Sequence, residues 1–99
     1  MDITSSKNEN TLVLTINGNI DTVTAPQLEQ YLQENLDNVT ELIFDFSVVD
    51  YISRAGLRVM MMANQSMEEC DGSLTVRNVN DMVMKVFEMT GFDSLFTFE

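Results

Sequence analysis

The sequence predicts an α/β domain: a mixed β-sheet, mostly parallel with an antiparallel hairpin at its N-terminal end, packed against α-helices. Three observations carry this expectation. Short stretches with period-two alternation or continuous apolar character recur between longer stretches whose apolar residues fall three and four apart. Their order is β-β-α-β-α-β-α-β, and strands that alternate with helices pair in parallel through right-handed crossovers. With 99 residues and 44% hydrophobic content, the chain suffices for one compact core and not for two. Residues 1–99 are therefore read as a single domain without repeats, low-complexity tracts or linkers.

Residues 2–6 are expected to form the first strand, with Lys7-Asn8-Glu9-Asn10 as a polar turn. Thr11 to Ile16 alternates, Leu12, Leu14 and Ile16 falling on one face, and Asn17-Gly18 ends this half-buried strand. Thr24-Ala25-Pro26-Gln27 opens a helix: Thr24 caps it, Pro26 sits where its missing N–H costs nothing, and Gln27 completes a capping box. Leu28, Tyr31, Leu32 and Leu36 then line one side, and Asp37-Asn38 stops the helix. Leu42 to Phe46 is continuously apolar save for Asp45, as expected of a central strand covered on both faces. Asp45 must find a partner there or lie at the sheet's edge.

Ser53 is the best N-cap for a long second helix, whose face is marked by Leu57, Met60, Met61, Asn64 and Met67 and widened by Val59, Met62 and Ala63. Asp71-Gly72 ends it, with Gly72 expected in the left-handed position. Ser73 to Arg77 reads as a strand. Val79, Met82, Val83, Val86 and Phe87 stripe a third helix that Gly91 terminates, and Leu95 to Phe98 forms a short closing strand or extended tail.

The charge narrows function. Sixteen Asp and Glu against five Lys and Arg give −11, and Lys7, Arg54, Arg58, Arg77 and Lys85 form no run. Such a chain repels phosphate backbones and anionic lipid, so neither nucleic acid nor membrane is an expected partner. Without histidine, imidazole acid–base catalysis, Ser-His-Asp hydrolysis and common zinc sites are excluded. One cysteine, Cys70, allows no internal disulfide and is read as a semi-buried structural residue. No signal-peptide pattern or long apolar run is present, so a cytoplasmic location is expected. No GxGxxG or GxxxxGK[ST] phosphate cradle occurs. Asp45 and Asp50 flank one loop, but an acidic chain brings carboxylates together by chance, so no metal, cofactor or catalytic residue is assigned. The methionines read as core filler rather than as an adaptable docking surface.

The segment from Asp45 to Leu57 stands out. A hydroxyl at a helix N-terminus lies beside unpaired N–H groups and the positive end of the helix dipole, so a phosphate placed there is well received. Ser53 is thus either a plain N-cap or the acceptor of a binding switch.

Four stretches resemble one family in register: Gly18-Asn19-Ile20-Asp21-Thr22-Val23-Thr24-Ala25-Pro26, Leu42 through Val59, Val76-Arg77-Asn78-Val79, and Thr90 through Phe96. It is the STAS family (sulphate transporter and anti-sigma-factor antagonist), and within it the stand-alone bacterial anti-sigma-factor antagonists. The resemblance implies a STAS-like fold and a non-enzymatic, partner-switching role. The unmodified domain would bind an anti-sigma factor, a serine kinase of the histidine-kinase-like ATPase fold, and release the sigma factor. Phosphorylation at the start of the second helix would end the complex, and a metal-dependent serine phosphatase would restore it. By motif position, the partner-binding residues are Asp21, Thr22, Asp50, Tyr51, Ser53, Arg54 and Arg58, with Ser53 the phosphoacceptor candidate. Where family members carry two small residues before the glycine, this chain has Arg54 and Ala55. Either Ser53 has become the acceptor, its phosphate steadied by Arg54 or Arg58, or the switch is disabled and binding is constitutive. The alternatives are a phosphorylation-insensitive scaffold subunit of a signalling complex and a small nucleotide-binding domain.

Overall fold

The computed structural model describes residues 1–99. Its elements are β1 (Asp2–Asn8), β2 (Thr11–Asn17), α1 (Ala25–Asn35), β3 (Glu41–Val48), α2 (Arg54–Glu69), β4 (Ser73–Arg77), α3 (Asp81–Thr90), a 3₁₀ turn (Phe92–Ser94) and β5 (Thr97–Phe98). The five strands form one sheet in sequential order, β1-β2-β3-β4-β5. β1 pairs antiparallel with β2, and every later pair is parallel. The predicted mixed sheet is therefore the observed one. β1 runs two residues further than expected, to Asn8, and the turn shrinks to Glu9-Asn10, with Glu9 taking the left-handed φ of 57°.

Three crossovers step across the sheet in the same direction, and a common right-handedness puts α1, α2 and α3 on one face. The core agrees. Leu12, Leu14 and Ile16 of β2, Leu42, Phe44 and Phe46 of β3, and Leu74 and Val76 of β4 join Leu28 and Leu32, Met60 and Ala63, and Val83 and Phe87 in a single cluster. Phe87 gathers Phe46, Phe96 and Phe98 around it, with ring centroids 5.7–6.2 Å apart, separations at which aromatic pairs attract.

This corrects the expectation for β3. The strand is not covered by helices on both faces. Ile43, 8% exposed, is the one buried apolar side chain outside the core cluster. It is screened on the open face by its register neighbours Val13 and Thr75. Asp45 lies half-buried on that face, accepting hydrogen bonds from the Ser47 N–H (2.9 Å) and the Asn78 amide (3.2 Å).

Helix ends depart from the sequence reading in two places. Thr24 is the N-cap of α1, yet its hydroxyl caps nothing in the helix. It donates to the Asn19 carbonyl (2.8 Å) and accepts from the Asp21 N–H (2.9 Å). Gln27 reaches the Met1 carbonyl (3.1 Å), so the predicted capping box does not form. At the end of α2 the left-handed residue is Asp71 (φ 57°), not Gly72. The N–H of Gly72 bonds the Met67 carbonyl and that of Asp71 the Glu68 carbonyl, a Schellman closure in which Asp replaces the usual Gly. Gly72 is needed for space: a Cβ there would stand 2.5 Å from the Thr40 carbonyl oxygen.

Two further expectations are revised. Cys70 is exposed rather than semi-buried, its thiol donating to the Met67 carbonyl at 3.4 Å. Met60 and Met67 are core, but Met82 and Met89 face solvent, so the methionines are not uniformly filler and Met82 is off the buried stripe of α3. Asn64, on the face of α2 that the spacing marks, is buried as expected, its amide donating to Glu68.

Candidate functional site

The loop after β2 and the loop after β3 meet at the N-terminus of α2. Parallel pairing slips after Thr15 and resumes at Asn17 with Val48. It then continues beyond the strands: the Gly18 N–H bonds the Val48 carbonyl (3.0 Å), the Ile20 N–H the Tyr51 carbonyl (3.0 Å), and the Ser53 N–H the Ile20 carbonyl (2.8 Å). Ile20 and Ile52 thus form a parallel bridge, and both side chains are buried. The two loops are hydrogen-bonded into one ribbon.

Gly56 lets α2 close onto that ribbon. A Cβ at this position would lie 2.7 Å from Ile20 Cγ2 and 2.7 Å from Ile52 Cγ1, distances no side chain tolerates without displacement. Ser53 then caps α2, its Oγ accepting from the Gly56 N–H at 3.4 Å. This is a long bond by ordinary standards.

Asp21 organises the first loop. Its Oδ1 accepts from the N–H groups of Val23 (2.9 Å) and Thr24 (3.0 Å). The Thr24 N–H above all, with the Val23 N–H and the Thr24 hydroxyl, outweighs desolvation and holds the Asp21 carboxyl below its ordinary value of 3.8. At the far end of β3, burial pushes the Asp45 carboxyl up. The Ser47 N–H, the Asn78 amide and the Arg77 charge overcome it and leave Asp45 lowered as well.

Around this frame Thr22, Asp50, Tyr51, Arg54 and Arg58 are exposed, while Asp21 and Ser53 are half-buried. Tyr51 is 46% exposed and Val23 85%. Arg54 and Arg58, one turn apart on α2, have no carboxylate within 4 Å; the single ion pair in the chain joins Arg77 and Glu99 at 3.6 Å. No three His, Cys, Asp or Glu side chains converge on a point where a metal ion could sit, and no helix is long and apolar enough to cross a membrane.

The STAS domain family model matches residues 2–99. The chain belongs to the STAS domain family. Among relatives, this STAS domain is 32% identical to BtrV of Bordetella bronchiseptica, assigned by name to the anti-sigma factor antagonists, over 97% of this chain and 84% of the relative. It shares its fold with an anti-sigma factor antagonist from Mycobacterium paratuberculosis (TM-score 0.87, 23% identity, covering 98% of this chain and 83% of that one). The Bacillus cell fate determinant SpoIIAA in its phosphorylated form has the same fold (TM-score 0.78, 17% identity, covering 99% and 91%).

In this STAS domain the seven residues singled out from sequence come to one end of the sheet. Their parts differ. Asp21 spends one carboxylate oxygen inside its own loop, and Ser53 is fixed by its backbone as well as its cap. Sequence reasoning passed over Gly56 and the Ile20–Ile52 bridge. The signal available was a glycine in the first turn of a helix, where alanine would be the better helix former unless something approaches closely.

Proposed function

We propose that this STAS domain, acting as one unit over residues 1–99, is a non-catalytic anti-sigma-factor antagonist of the cytoplasm. It binds an anti-sigma factor, a serine kinase of the histidine-kinase-like ATPase fold, and so frees the sigma factor. One observation carries the reading: the ribbon of two bridged loops presents Thr22, Asp50 and Tyr51 in the open beside Ser53 and Arg54 at the N-terminus of α2. Tyr51 supplies apolar contact, and the charged groups set specificity.

A phosphate on Ser53 would add about −1.5 to −2 charges to this small patch and would repel an acidic or apolar partner surface. A metal-dependent serine phosphatase would reverse it. A second reading, a fixed binder, draws support from the anchoring of Ser53. Its N–H and its Oγ are both engaged, and neither Arg54 nor Ala55 offers a hydroxyl.

Incubation with any anti-sigma factor kinase found encoded near this gene, with ATP and magnesium, separates the two. The switch predicts a mass gain of one phosphate, lost in Ser53→Ala, and loss of binding by the modified protein in calorimetry. The fixed binder predicts no mass gain and unchanged binding by Ser53→Ala. Failure of the wild type to bind any neighbouring anti-sigma factor would overturn both.

A further inference from the structure

From the N-terminus of α2 a groove runs between α1 and α2. Its first part, a cleft of about 390 Å³, has Arg54 and Arg58 on one wall and Pro26 and Glu29 on the other. Glu29 and Val59 border it and also the next part, a notch of about 50 Å³ closed by Leu32, Leu36, Met62 and Ala63. The notch has an apolar floor, since Leu32, Val59 and Ala63 are buried. It has room for little more than the end of one aliphatic side chain.

We infer that this groove takes a helical segment of the anti-sigma factor that sets one aliphatic side chain in the notch and, about one turn away, a carboxylate on Arg54 and Arg58. This rests on the reading above and adds the chemistry of the partner. Charge complementarity carries it. In a chain of −11, two guanidinium groups lie one turn apart on one helix without a carboxylate within 4 Å. Glu29, the acid on the opposite wall, lies more than 4 Å from either guanidinium group and accepts from the Gln33 amide at 3.4 Å. A guanidinium offers a planar fork of donors that a carboxylate matches in two bonds. Arg58 and Met62 are four residues apart on α2, about 6 Å along its axis, a span matched by an acid and an aliphatic residue three or four apart on a partner helix lying along the groove. A second copy of this chain would bring eleven more negative charges to the same place.

The test is calorimetric titration of the neighbouring anti-sigma factor into the full chain as wild type, Arg58→Glu, Met62→Glu and Lys85→Glu. The last makes the same change of charge on α3, away from the groove. Circular dichroism and thermal melting of each variant check that it is folded. Arg58→Glu and Met62→Glu each raise Kd about tenfold or more, and Lys85→Glu changes it less than about threefold. Wild-type binding grows weaker with salt, and Arg58→Glu loses part of that dependence. If the wild type binds and both groove variants match it, the groove assignment falls while the antagonist reading stands. If the wild type does not bind, the antagonist reading falls first and the groove assignment with it. Sedimentation showing a dimer that Met62→Glu dissolves would put a second copy in the groove and overturn the partner helix.

Discussion

Asp21 shows how one side chain can shape a loop from within. Its carboxylate ties the N–H groups of Val23 and Thr24, which leaves Val23 projecting and turns the Thr24 hydroxyl back into the loop. Because the Asp21 carboxyl lies below 3.8 in the folded protein, the unfolded chain binds more protons through the window just beneath that value. The associated stability is present above the unfolded pKa and is lost as pH falls through the folded one. Asp45, lowered too, acts in the same direction. Asp21→Asn keeps an acceptor but does not titrate. Urea denaturation between about pH 6 and about pH 3 is expected to show a shallower acid-side loss of stability for it than for the wild type. Identical slopes would mean that Asp21 titrates alike in both states. The motif marked Asp21 as a contact residue, and its role inside the loop was not legible. Thr24 stands three residues from Gln27, which fits a capping box, and three from Asp21, which fits the reversed hydroxyl that forms, and only the path of the chain from Asn19 decides.

At the scale of elements, Gly56 holds the most information. Alanine is the better helix former by about 1 kcal/mol, yet its methyl would meet Ile20 and Ile52 at 2.7 Å. Overpacking of this kind costs about 1–3 kcal/mol. Gly56→Ala is therefore expected to lower stability by about 1 kcal/mol in urea denaturation, the overpacking cost less the gain in helix propensity. It should also weaken partner binding, because the displaced ribbon carries Thr22 and Tyr51. A neutral or stabilising result would show that α2 shifts outward at no cost. The stripes of α1 and α2 and the alternation of β2 were legible, since burial on one side writes the period into the chain. Ends were less so. At Asp71 and Gly72 either residue suits a left-handed turn by type, and what assigns them is the Thr40 carbonyl, brought from 32 positions earlier. β3 read as doubly covered because Ile43 is apolar. A side chain at the middle of a sheet can be screened by strand neighbours alone.

For the whole molecule, the parallel order and the hairpin followed from the alternation of elements, and the open sheet face did not, because the pattern within β3 is the same whether helices or neighbouring side chains cover Ile43. Charge acts at this scale as well. A net −11 with a single exposed ion pair repels itself, and salt screens that repulsion. Raising sodium chloride from about 10 mM to about 500 mM is expected to raise Tm by about 2–5 °C in a calorimetric scan. An unchanged or lower Tm would mean that favourable pairs offset the excess.

The sequential strand order has a kinetic meaning. Each strand after the hairpin lays itself against the one completed just before it, with partners 22 to 32 residues apart, and no interior position waits for a later segment to be slotted in. A chain emerging from the ribosome can add its layers in the order they are made, although each parallel pairing must first close a loop of more than twenty residues.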